Sequence, residues 1–135
     1  MSLLVEFTEK DIKRSTILEP GWYKFRIGEP EAKMAKDQKS TNINIEMIAL
    51  CNADTGDEEC SGVPVFQMFN SKRNDFVIGF ANALNDDDDE IVKGSRFDFE
   101  AAAGKEVEAF IGNRTYEGQI QNDMKHQYRK VGAGA

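Results

Sequence analysis

The sequence predicts a mainly β domain, a five-stranded barrel with one helix between strands 3 and 4, and three observations carry that prediction. Residues 21–29, GWYKFRIGE, alternate apolar and polar side chains with the period of a half-buried strand. Residues 104–128, GKEVEAFIGNRTYEGQIQNDMKHQY, do so again, with a turn at Glu117-Gly118 that folds them into a hairpin. Between the two, Phe76, Phe80 and Leu84 recur every four residues, with Val77 on the same stripe, which is the spacing of an amphipathic helix.

Taken in order, residues 1–19 read as a mixed, charged arm in which Thr8 can cap a helical turn with Asp11 three residues on. Pro20-Gly21 is a turn signal, and the first strand follows it with Tyr23, Phe25 and Ile27 on one face and Trp22, Lys24 and Arg26 on the other. Residues 33–39, KMAKDQK, are basic and aperiodic and read as a loop or hairpin tip. The second strand spans 41–50, with Ile43, Ile45, Met47 and Ala49 inward and Asn42, Asn44 and Glu46 outward. An acidic loop, 52–62, leads to a third strand at 63–69 whose Pro64 marks a strand start or edge. Its facing is open, because Val65 and Phe69 compete with Phe66 and Met68 for the core.

The helix covers 74–85, with Ser71 or Asn74 as N-cap and Asp75 favourable in its first turn. Residues 93–103 are a connector with room for another helical turn. The fourth strand places Val107, Ala109 and Ile111 inward. The fifth, 119–128, sets Ile120, Asn122 and Met124 against Gln121, Asp123 and Lys125, and the VGAGA tail, 131–135, is expected to be disordered. Strands, then a helix, then a closing hairpin is the order of the OB-fold, here over residues 20–130, and that fold carries its function on its surface.

At 135 residues the chain is long enough to bury a core without staples. No apolar run nears the roughly 20 residues of a membrane span, and the acids among the first ten residues do not suit a secretory signal, so a non-secreted protein with no membrane association is expected. Cys51 and Cys60 flank NADTGDEE; without a sign of secretion they read as free thiols. Two cysteines and the single His126 do not make a structural zinc set, and no metal or organic cofactor is expected. No nucleophile elbow, phosphate-cradling glycine loop or histidine pair is present, so the reading is non-enzymatic. The net charge of −7 opposes a nucleic-acid partner, but residues 54–59 and 86–100 hold eleven of the 24 acids and only Lys93 and Arg96 of the 17 bases. The rest of the chain keeps 15 basic and 13 acidic side chains, so a locally positive face is permitted. The acidic run at 86–90 lacks the glycine of a calcium loop and reads as a solvated helix end, or more sharply as a mimic of DNA.

The PGWYKFRI opening, the asparagine-bearing second strand, the Phe76-to-Leu84 helix, Gly104-Lys105-x-Val107-x-Ala109 and Tyr116-x-Gly118 together resemble a family of bacteriophage early proteins with an OB-fold. The resemblance covers residues 20–130 and implies single-stranded DNA binding in phage replication or recombination, in the cytoplasm of the bacterial host, as a monomer or homodimer. Replication or recombination proteins would be further partners. Proteins of this type often carry an acidic C-terminal tail, where this sequence has VGAGA.

Holding a single strand without reading its sequence needs cations along the phosphates and flat faces for the bases. Trp22, Lys24 and Arg26 offer a platform beside two cations, and Asn42 and Asn44 offer hydrogen bonds. Lys33, Lys36 and Lys39 form a positive tip, and Lys72 and Arg73 follow the third strand. Phe66, Tyr116 and Tyr128 are further platforms; Arg114, Lys125 and Arg129 are further cations. Each has a plainer reading: Trp22 packed against the arm, Lys24 and Arg26 as solvated charges, Phe66 in the core, Tyr116 in the turn. Two other functions fit the same fold, a protein-interaction module using the acidic loops and a virion or assembly protein pairing through edge strands.

Overall fold

The computed structural model describes residues 3–85 and 90–132, so the expectations placed on the 86–89 run and on the last three residues of the tail lie outside the described residues. The elements run α1 (Glu9–Ser15), β1 (Gly21–Met34), β2 (Thr41–Asn52), β3 (Pro64–Asn70), a 3-10 turn (Ser71–Arg73), α2 (Asn74–Leu84), α3 (Phe99–Ala102), β4 (Glu106–Tyr116) and β5 (Gln119–Arg129). All five strands join one antiparallel sheet in the order β3-β2-β1-β4-β5.

The fold is mainly β, as expected, but the sheet is not closed into a barrel. Its order leaves β3 and β5 as the two ends, with no backbone ladder joining them. A side chain bridges them instead. Buried Gln67 of β3 donates from Nε2 to the Met124 carbonyl (3.1 Å) and to Tyr128 Oη (2.8 Å), both on β5. Rings fill the join: Phe69 of β3, Phe80 of α2 and Tyr128 of β5 lie 5.0 to 6.2 Å from one another between centroids. The helices also number more than one, since α1 and α3 accompany α2.

The core follows the alternation of the strands. Phe25, Ile27, Ile45, Met47, Val107, Ala109 and Ile111 are buried, joined by Phe80 from α2. On β3 the competition resolves in favour of Val65, Gln67 and Phe69, and Phe66 and Met68 point out. The core reading of Phe66 is therefore corrected: its side chain is 64% exposed.

Several boundaries move for identifiable reasons. β1 continues to Met34 because a register shift between Ile27 and Pro30 absorbs the break in alternation and lets the chain go on pairing with β2. Lys33 is thus a strand residue opposite Asn42, not part of a loop. β2 reaches Asn52, and β3 begins at Pro64. Neither Ser71 nor Asn74 caps α2: Ser71 Oγ accepts from the Thr41 N–H (2.9 Å), and Asn70 caps the preceding 3-10 turn through the Lys72 N–H. Ile120 is exposed, because Gly21 pairs with Ile111 and the β4–β5 hairpin runs on beyond the end of β1. That hairpin turns at Glu117 and Gly118, both with positive φ (49° and 79°), the two-residue geometry whose twist matches paired strands. Cys51 and Cys60 are both free thiols.

Candidate nucleic-acid interface

Ladder register places outward side chains of β1, β2 and β3 in rows, since residues directly opposite share a face. The first row is Lys33, Asn42 and Asn70; the second is Glu31, Asn44 and Met68. The third has Glu46 opposite Phe66, with Gly28 of β1 beside it, and the fourth is Arg26, Ile48 and Pro64. Any side chain at Gly28 would force the backbone to shift there, because a Cβ would stand 2.4 Å from the Glu46 carbonyl oxygen. The outer face of these strands is therefore a polar sheet surface carrying two exposed apolar side chains, Phe66 and Met68, side by side on β3.

One end of this surface is the β1–β2 tip. Asp37 organises it, accepting from the Lys39 and Ser40 N–H groups and from Ser40 Oγ. It also pairs with the Lys72 ammonium, which ties the tip to the 3-10 turn after β3. The Lys72 contact, helped by those donors, holds the Asp37 carboxyl well below its usual range. Asn70 reinforces the join by donating to Asn42 Oδ1 (2.7 Å) and Ser40 Oγ (3.0 Å). Lys36 and Lys39 stay exposed, and neither makes an ion pair among the described residues; the same holds for Arg26.

Other predicted residues are engaged elsewhere. Lys33 pairs with Glu31 (3.2 Å) and Lys24 with Glu106 (3.8 Å). Arg73 forms a two-point pair with Asp75 (3.0 and 2.8 Å) and lies 4.0 Å from the Phe76 ring centroid. Trp22 is half-buried between Phe110, edge-on at 5.7 Å, and the Arg129 guanidinium, 4.3 Å from the Trp22 ring centroid. Arg129 is itself anchored by buried Glu108 (2.6 Å) and by Asp54 (2.9 Å). Tyr128 belongs to the ring cluster against the core, where burial pushes its phenol well above the usual range despite the hydrogen bond from Gln67. Arg114 and Tyr116 are exposed on the β4–β5 hairpin with Lys125, which pairs with Asp123 (2.6 Å).

The structure thus brings together Arg26, Lys33, Asn42, Asn44, Phe66 and, at the tip, Lys36, Lys39 and Lys72. Trp22 keeps the same face of β1 as Arg26, but its ring is taken up by Phe110 and Arg129; Tyr128 is drawn into the ring cluster, and the β4–β5 hairpin runs on beyond the end of β1. Met68, Glu46 and Asn70 share the face and were not among the candidates. The β3 alternation was the available signal, because setting Val65 and Phe69 inward sets Phe66, Met68 and Asn70 outward or at the margin. Among the described residues no three His, Cys, Asp or Glu side chains gather as a metal site, and no helix is long and apolar enough to cross a membrane. No protein-family model matches the chain, and no curated protein sequence matches it.

Proposed function

We propose that this protein binds single-stranded DNA without sequence preference on the outer face of β1, β2 and β3, protecting the strand during phage replication or recombination. The observation that carries the reading is the pairing of Phe66 and Met68, exposed on β3, with Asn42, Asn44 and the cations Arg26, Lys36 and Lys39, unpaired among the described residues, around them. Flat or polarisable apolar faces take bases; amides take base edges or backbone; the cations take phosphates. The strand order, with α2 between β3 and β4 and Gln67 linking β3 to β5, supports reading the sheet as the partly open barrel of an OB-fold. The resemblance of residues 20–130 to phage single-stranded DNA-binding proteins points the same way. Fluorescence anisotropy with labelled oligo-dT tests the proposal. Wild type binds at low salt, and Phe66→Ala loses about 1–3 kcal/mol, the worth of one stacked base. No binding at low salt would sink it.

The net charge of −7 favours a second reading, an interaction module whose loop acids Asp57, Glu58 and Glu59, all exposed, meet a basic surface of a replication protein. Oligo-dT binding that Phe66→Ala weakens by that amount favours the first reading; no oligo-dT binding by the wild type favours the second.

A further inference from the structure

Helix α1 closes the other end of the same surface. A cleft of about 480 Å³ lies between α1 and the β2–β3 face, with Lys10, Lys13 and Arg14 on its helical wall and Ile48 and Pro64 on its floor. Ile48 and Pro64 form the row next to Glu46 and Phe66, and Arg26 stands on the β1 side of Ile48. The cleft is therefore continuous with the proposed base-stacking face and lies at the opposite end from Lys36, Lys39 and Lys72.

The helix is fixed in place although it buries none of its own residues. At its start Thr8 and Asp11 form a capping box: the Asp11 N–H donates to Thr8 Oγ1 (3.2 Å) and the Thr8 N–H to Asp11 Oδ2 (2.9 Å). After its end Asn122 grips the chain, accepting from the Leu18 N–H (2.7 Å) and donating to the Thr16 carbonyl (2.8 Å), while Leu18 is buried. The Lys13 stem also lies along Gly62. Lys10, Lys13 and Arg14 make no ion pair among the described residues. Two carboxylates, Glu9 and Glu46, share the cleft, so the wall is positive by the excess of three cations over two acids, and Arg26 adds a fourth cation at its margin.

We propose that α1 is a phosphate-gripping wall of this surface, so that a single strand runs from the β1–β2 tip across Phe66 and Met68 and leaves between α1 and Ile48. Cations that make no ion pair among the described residues, Lys36 and Lys39 at one end and Lys10, Lys13 and Arg14 at the other, flank the apolar platform, and a polyanion with flat bases complements that arrangement along its whole length. The inference rests on the proposed function and adds its path. Four residue steps separate Asn44 from Ile48 on β2, about 13 Å at strand rise, so α1 lies within one short oligonucleotide of the platform.

The test uses the full chain and oligo-dT. Lys10→Gln/Lys13→Gln/Arg14→Gln alters only exposed or half-exposed groups on a helix with no buried residue, and circular dichroism checks that it stays folded. The slope of log affinity against log salt is expected to become shallower by about 2, the loss of three single-strand phosphate contacts, with affinity at low salt down about tenfold or more. Lys93→Gln/Arg96→Gln, on the connector near α2, is expected to keep the wild-type slope. A triple variant with wild-type slope and affinity, while Phe66→Ala still weakens binding, overturns the α1 inference and leaves the binding face standing. Equal slope changes per charge in both multiple variants also overturn it, since the effect would then be net charge. Failure of the wild type to bind at low salt removes the functional reading and the path with it.

Discussion

Phe66 and Val65 are adjacent and both apolar, yet one is 64% exposed and the other 2%. Strand geometry demands that one of them face out; Val65 goes inward with Phe69, which joins the core, and with Gln67, whose amide finds partners there. Its Nε2 reaches two acceptors on β5 and its Oε1 accepts from the Met68 N–H. Gly28 is a second position where one atom decides. Gly28→Ala puts a methyl against the Glu46 carbonyl, and a loss of about 1–3 kcal/mol is expected in urea unfolding. His126 carries a pH consequence. Its ring is stacked on Phe76 (4.2 Å, 7°), its Nδ1 is buried with no hydrogen-bond partner among the described residues, and burial with the nearby Arg73 lowers its pKa from 6.5 against the opposing pull of Asp123 and Asp75. The unfolded chain therefore binds a proton more readily than the folded one. Stability is full above pH 6.5 and falls as the pH drops from 6.5 toward the lowered folded value. Denaturant unfolding between pH 7.5 and 5 is expected to show that loss, and His126→Phe to remove its own share of it.

At the level of elements, the sheet depends on how its two ends are tied. Gln67→Ala leaves the Met124 carbonyl and the Tyr128 hydroxyl without that donor in a buried setting, and a cost of about 1–3 kcal/mol is expected. Faster hydrogen exchange confined to β3 and the second half of β5 would locate the effect at the junction; uniform loss across all strands would argue against this bridging role. The strands themselves were legible wherever alternation was unbroken, as in Phe25 to Ile27, Ile45 to Ala49 and Val107 to Ile111. Legibility failed at the register shift near Pro30, where a change of pairing hides a continuous strand behind an aperiodic sequence. It failed again at the α2 cap, because Asn70 and Ser71 serve the 3-10 turn and the start of β2. No local pattern announces either use.

For the whole molecule, the acidic total and the proposed binding face must coexist. Salt is the direct probe: log affinity for oligo-dT is expected to fall linearly with log salt, by about 0.7 per phosphate neutralised. A flat response would contradict a path lined by Arg26, Lys36, Lys39 and α1. The sequence by itself determined the β class, the number of strands, the place of α2 and most of the core, because those depend on short-range periodicity and on burying apolar side chains. It also marked which residue types could take bases and phosphates. Only the tertiary structure decided which of them share a surface. Trp22, first among the candidates, is backed by Phe110 and faced by Arg129 from β5, more than a hundred residues away in the chain. Phe66, which the sequence left between core and platform, stands open beside Asn44 and Met68 because strand pairing sets Val65, Gln67 and Phe69 inward. Such choices are made by contacts distant in sequence, and no alternation within one segment can express them.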